Sequence, residues 1–144
     1  LLLGRAALPV RREAARMKPL QRILHVDDVP SIQVVTRIAL EKLGGFQILS
    51  CASGAEALAQ VRQFDPDMIL LDLELPQMDG IELLRQLSQQ VDLQRIPVVL
   101  LTGHNEPGDL ADLRHLGVRQ LLLKPFDPLQ LATQLNAIWE AAHE

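Results

Sequence analysis

Asp27-Asp28, Asp72, Thr102 and Lys124 are the residues whose type and setting invite chemistry, because each follows directly on a short, largely apolar run. Ile23-Leu24-His25-Val26 leads into the acid pair, Met68-Ile69-Leu70-Leu71 into Asp72, Val98-Val99-Leu100-Leu101 into Thr102, and Leu121-Leu122-Leu123 into Lys124-Pro125. Three carboxylates brought together would carry about −3, and each like-charge pair near 4 Å costs about 4 kcal/mol at an effective dielectric of 20. Such a cluster calls for a cation. Its donors would be oxygen alone, with no Cys or His at ligand spacing, which suits a hard ion; Mg2+ keeps several waters and takes few carboxylates. Each residue also has a plain structural reading: Asp28 could cap a helix begun by Pro30, Thr102 is ordinary strand composition, and Lys124 could be a solvated lysine. The second acid at the same strand end and the apolar surroundings of Lys124 favour a site. Asp79 is assigned instead to the N-cap of a helix opening at Gly80-Ile81-Glu82.

The elements that must position these residues alternate along the chain. Buried strands are expected at Arg22 to Val26, Gln47 to Ala52, Asp67 to Asp72, Ile96 to Thr102 and Arg119 to Leu123, with helical periods between them. That alternation is the signature of a parallel sheet with crossover helices. Pro30 suits a first-turn position, and Val35, Ile38, Ala39 and Leu43 are expected to form the apolar face of the first helix, stopped at Gly44-Gly45. Ser53-Gly54-Ala55-Glu56 has capping-box spacing ahead of a second helix ending near Phe64. A third helix lines Gly80, Leu84, Leu87 and Val91 along one side, a short fourth runs from Asp109 to Leu116, and Asp127-Pro128 opens a fifth through Leu131, Leu135, Ile138 and Trp139. Open α/β sheets bind ligands outside the carboxyl ends of their strands, so the reactive residues fall on one rim.

In this order, His25-Val26-Asp27-Asp28, Asp72 to Gly80, Leu101-Thr102-Gly103 and Lys124-Pro125-Phe126 resemble the receiver domain of two-component response regulators, over about residues 20 to 142. The resemblance implies a doubly wound (βα)5, flavodoxin-like three-layer sandwich, its parallel five-stranded sheet in the order 2-1-3-4-5 shared by flavodoxin and the chemotaxis regulator. It implies that Mg2+ is held by Asp28 directly, by Asp27 through water, by one oxygen of Asp72 and by the backbone carbonyl of Glu74. Asp72 would then accept a phosphoryl group from a histidine kinase or histidine phosphotransfer protein, with Lys124 and Thr102 on the phosphoryl oxygens and Gly103 leaving room. The Lys124-Pro125 bond would be cis. Such a domain is a phosphorylation-dependent protein-binding switch that promotes only its own phosphorylation and dephosphorylation, and is not an enzyme acting on other substrates.

The chain departs from that family's pattern at two places. Leu121 stands where many receivers carry Tyr or Phe, and Arg119-Gln120 replace a frequent acidic pair. A weakened switch is expected, transmitted through the loop His104 to Gly108 and the fourth helix rather than through a rotating ring. The surface of the fourth helix, fifth strand and fifth helix is the expected meeting place for a downstream protein, and could also pair two copies of the chain. The alternative reading is a receiver-like interaction module that phosphorylation does not regulate. An aspartyl-phosphate phosphatase of the haloacid-dehalogenase type fits poorly, because Glu74 stands where such enzymes use Asp. A flavin protein of the same fold would need phosphate donors where Asp27-Asp28 would repel the ligand.

Composition agrees with one ordinary globular domain: 48% hydrophobic and 22% charged residues over 144 positions. Residues 1 to 19 hold five basic residues against Glu13, and are expected to be a tail outside the domain of residues 20–144. That tail would be disordered or non-native, being either a linker or sequence ahead of a start at Met17. The rest carries nine basic against 17 acidic residues, a balance that repels nucleic acid. No run reaches the roughly 20 apolar residues that span a bilayer. With Cys51 the only cysteine, a reducing, cytoplasmic setting is expected.

Overall fold

The computed structural model describes residues 18–75, 78–103 and 110–143. It contains β1 (Arg22–Val26), α1 (Pro30–Gly44), β2 (Gln47–Cys51), α2 (Gly54–Phe64), β3 (Met68–Asp72), α3 (Gly80–Ser88), β4 (Val98–Thr102), α4 (Leu110–His115), β5 (Val118–Leu123) and α5 (Pro128–Ala142). All neighbouring strands pair in parallel, in the order β2-β1-β3-β4-β5, as the family resemblance implies. Each of the five expected strands is present, with ends shifted by up to two residues. Residues 1 to 17 of the expected tail, the loop His104 to Gly108 and the expected start of the fourth helix at Asp109 lie outside the described residues.

Parallel strands buried on both faces are apolar without interruption, and β3 and β4 show it: every residue of each is buried. Successive side chains point to opposite faces, which divides the core in two. Leu24, Val26, Ile69, Leu71, Val98 and Leu100 meet Leu83, Leu84 and Leu87 of α3 on one side. On the other, Ile23, Met68, Leu70, Val99 and Leu101 meet Leu40 of α1 and Leu131, Leu135 and Trp139 of α5. Each fully buried Leu or Ile contributes about 1.5–3 kcal/mol, so these two layers hold the sheet edge that carries the site.

The helix ends follow local chemistry. Ser53 caps α2 by accepting from Glu56 N–H, while the Glu56 carboxylate reaches back to Ala52 N–H at 2.8 Å. Asp79 caps α3 through Ile81 N–H, and Asp127 caps α5 through Leu129 N–H, each ahead of the expected first residue. Pro30 begins α1, but its N-cap is Val29 with no side-chain bond, so Asp28 does not serve as the cap. Gly117 carries φ +103° between α4 and β5, and a Cβ there would come within 2.4 Å of Leu93 O, so no other residue fits.

The apolar face of α1 differs from the expectation. Thr36, Ala39 and Leu40 are buried, whereas Val35, Ile38 and Leu43 are 44%, 50% and 56% exposed. Apolar residues occupy most of this helix's circumference, so periodicity could not single out the inward face. The smaller Thr36 and Ala39 are among those turned inward as α1 packs against β2 and alongside α5 on the same face of the sheet. Val91, expected on α3, lies beyond its end and packs against the same core layer from the following loop.

At the edge opposite the reactive rim, Asp67 accepts from Lys18 Nζ at 2.9 Å and from the N–H groups of Gln21 and Arg22 at 3.0 and 2.9 Å. Trp139 Nε1 donates to Lys18 O, so α5 and the residues ahead of β1 are tied together there. Burial pushes the Asp67 carboxyl up, but Lys18 and the two N–H groups outweigh it and hold it below its ordinary range. A depressed carboxyl stabilises the fold above its unfolded pKa, and that contribution is lost as pH falls through the lower folded value. Asp67→Asn should therefore lose about 1–3 kcal/mol against urea at neutral pH. The gap between parent and variant should close on acidification below about pH 4.

Candidate functional site

The parallel arrangement delivers the reactive residues to one rim, with β3 between β1 and β4. Asp72 ends β3 and is 2% exposed. Lys124 Nζ donates to its Oδ1 at 2.8 Å and Glu74 N–H donates to the same oxygen at 2.9 Å, which fixes the carboxylate. Lys124 reaches this position from the end of β5, where its own N–H donates to Thr102 O at 2.8 Å and the Lys124–Pro125 bond is cis. Its ammonium end is partly open to solvent, so the pair is anchored on the carboxylate side.

Asp27 follows β1 and is fully buried. Its Oδ1 accepts from Val29 N–H at 2.9 Å, and its carbonyl accepts from Gln33 Nε2 of α1, which fastens the loop onto the first helix. Its Oδ2 has no hydrogen-bond partner among the described residues and lies 3.9 Å from His25 Nε2. Burial raises the Asp27 carboxyl above its ordinary range; the Val29 N–H opposes the rise, and the negative charge of Asp72 adds to it. His25, inward on β1, is pushed down to about 4 by burial, with the Asp72 charge opposing and Lys124 assisting, so its ring is neutral at pH 7. The sequence assigned His25 no part in the site, and the structure seats its ring beside the Asp27 carboxylate.

Asp28 is half-buried and faces a cavity of about 400 Å³ between the loop entering α2 and the loop after β3. One carboxylate oxygen from each of Asp27, Asp28 and Asp72 lies within 4.8 Å of the others. Oxygen-only donors, a buried carboxylate oxygen without a partner and three carboxylates against one ammonium, all among the described residues, fit a hard divalent cation. Thr102 is buried at the end of β4, on the opposite flank of Asp72. Glu74 was expected to contribute its backbone carbonyl. Its side chain also spans to β4, accepting from Gly103 N–H at 2.9 Å and from Thr102 Oγ1 at 3.4 Å. Residue spacing could not have shown this, because it depends on how far apart β3 and β4 end.

Residues 23–136 match the family model for the response regulator receiver domain. The chain belongs to the response regulator receiver domain family. This receiver is 36% identical over 111 residues to the probable C4-dicarboxylate response regulator DctR of Halalkalibacterium halodurans, covering 76% of the chain and 47% of that protein. It is 34% identical to protein PilH of Pseudomonas aeruginosa, covering 81% of the chain and 96% of PilH. It thus spans about half of DctR and nearly all of PilH. The structure of the chemotaxis response regulator CheY4 of Vibrio cholerae superposes with a TM-score of 0.74 at 28% identity, covering 83% of this chain and 99% of that one.

Among the described residues of this receiver, no helix is long and apolar enough to cross a membrane. Leu121, in the place of the frequent aromatic, pairs with Leu100 and is half-buried against the core layer shared with α3. If the acidic rim holds a divalent cation, Mg2+ at about five times its dissociation constant should stabilise the parent by about 1 kcal/mol. Thermal unfolding of Asp28→Ala and Asp27→Ala should be indifferent to the ion; an equal rise in parent and variants would mean that it binds elsewhere.

Proposed function

We propose that this receiver takes a phosphoryl group onto Asp72 from a histidine kinase or histidine phosphotransfer protein and thereby changes its affinity for a downstream protein. The observation that carries the reading is the ammonium of Lys124 at 2.8 Å from a buried aspartate flanked by two acids on one side and a hydroxyl on the other. Phosphoryl transfer asks mainly for positioning and charge stabilisation. An Asp72 carboxylate oxygen forms the new P–O bond while the P–N bond to the donor imidazole breaks and its electron pair stays with the ring. No base is needed, because the carboxylate carries no proton to remove. Lys124 and the Thr102 hydroxyl would share the phosphoryl oxygens.

Asp27, Asp28, Asp72 and the Glu74 carbonyl would hold Mg2+, which when bound supplies positive charge to the phosphoryl oxygens. The domain would then promote only its own phosphorylation and dephosphorylation. Beside Lys124, an apolar groove of about 390 Å³ runs along Ile32, Val35, Pro125 and Phe126. A donor protein could rest on that groove while its phosphohistidine reaches the rim. The surface of α4, β5 and α5 remains the proposed place for a downstream target or a second copy. A kinase-linked role and the free buried thiol of Cys51 fit a cytoplasmic setting.

Incubation with Mg2+ and acetyl phosphate, followed by intact mass measurement, tests the reading. The parent and Asp79→Asn should gain one phosphoryl group and Asp72→Asn none, with Thr102→Val slowed about tenfold or more. An unmodified parent would favour the interaction-module reading, to which Leu121 also lends itself. A phosphorylated Asp72→Asn would place the acceptor elsewhere.

A further inference from the structure

Asp72 accounts for one end of the rim, yet the two hydrogen-bond donors at the end of β4 are engaged by another anion. Gly103 N–H and Thr102 Oγ1 both donate to Oε1 of Glu74, at 2.9 and 3.4 Å. Converging N–H and O–H donors at a strand end are the usual means of holding an oxyanion. Glu74 is two residues beyond Asp72, and its backbone N–H is bonded to the Asp72 carboxylate, so the two acids are tied to one short turn. Gly103 matters to the contact: a Cβ there would stand 3.3 Å from Glu74 Oε1, against the very atom that its N–H holds. Glu74 is itself exposed, so its side chain can turn out to solvent without disturbing the core.

We propose that the Glu74 carboxylate is an internal stand-in for the phosphoryl group, occupying the Thr102 and Gly103 donors in the unmodified domain and being displaced when Asp72 is phosphorylated. The inference rests on the reading of Asp72 as the phosphoacceptor. A phosphoryl group on Asp72 replaces a carboxylate of charge −1 by an acyl phosphate of charge about −2 whose oxygens reach further toward β4, and Glu74 cannot keep the same donors beside it without like-charge repulsion. One anion replaces another. The contact therefore restrains modification of the resting protein. Its release also changes the surface beside β4 without any aromatic ring, which suits a chain with Leu121 where a ring is often found. With acetyl phosphate, the Asp72 oxygen bonds to phosphorus, the bond from phosphorus to the acetate oxygen breaks, and acetate leaves with the electron pair.

Glu74→Ala removes the carboxylate, whereas Glu74→Asp keeps the charge and shortens the side chain by one methylene, out of reach of Gly103. In metal-free, phosphate-free protein the Gly103 amide proton, deshielded by the carboxylate in the parent, should move upfield in both variants. Both should also gain phosphoryl mass from acetyl phosphate and Mg2+ about fivefold faster than the parent, the rate equivalent of one net hydrogen bond. An unmoved Gly103 resonance, or a Glu74→Asp protein that reacts at the parent's rate while Glu74→Ala is faster, would overturn the proposal, the latter by showing that charge alone acts. A phosphorylated parent with both variants at its rate defeats this inference alone. A parent that never gains phosphoryl defeats the phosphoacceptor reading and this inference with it.

Discussion

Asp72 sits at the end of the central strand with 2% of its surface open, and its charge is sustained there by one ammonium at 2.8 Å and one backbone N–H at 2.9 Å. A buried carboxylate without such partners would cost several kcal/mol, so β5, which delivers Lys124, and β3, which delivers Asp72, have to end at matched heights. The sheet order makes that a two-step reach, with β4 between them. The Lys124 N–H bond to Thr102 O closes the gap, leaving the lysine side chain to pass over the end of β4. The core layers on both faces of the sheet serve this requirement, because a slip of one residue in β3 or β4 would exchange buried and site-facing side chains.

The acid pair after β1 works against the same constraint. Asp27 is buried beside Asp72, and burial with the neighbouring charge raises its carboxyl pKa. A raised carboxyl stabilises the fold only at pH below its unfolded value, and that contribution is lost as pH rises through the folded one. At neutral pH the buried Asp27 carboxylate therefore burdens the fold, and a cation held beside it would relieve the burden. The neutral ring of His25 beside Asp27 adds no compensating charge, so the compensation comes from Lys124, and a cation at the acid cluster would add to it. Binding of such a cation would in this way be coupled to stability at the rim.

Much of this was legible in the residues. β3 and β4 could be recognised because strands buried on both faces need unbroken apolar runs, and the caps Ser53, Asp79 and Asp127 because a side-chain oxygen at a helix start satisfies a backbone donor that has no other partner. The rim could be inferred once the strands were in order, since parallel strands place all their carboxyl ends together. The inward face of α1 could not, because Val34, Val35, Ile38, Ala39, Leu40 and Leu43 leave no polar side to mark the outside. Packing against α5 decides it. The Glu74 side chain was equally hidden, since its contact with Gly103 is set by the spacing between strand ends and not by any pattern along the chain.

An acyl phosphate is reduced by borohydride to an alcohol, which converts a phosphorylated aspartate into homoserine and marks its position permanently. Applied to the Mg2+- and acetyl-phosphate-treated protein and followed by peptide sequencing, this reaction tests directly whether the buried, lysine-paired carboxylate is the acceptor. Homoserine at position 72 and nowhere else is the expected result. Homoserine at position 27 or 28, 5-hydroxynorvaline at position 74, or no reduced residue at all in protein that has gained phosphoryl mass, would contradict it.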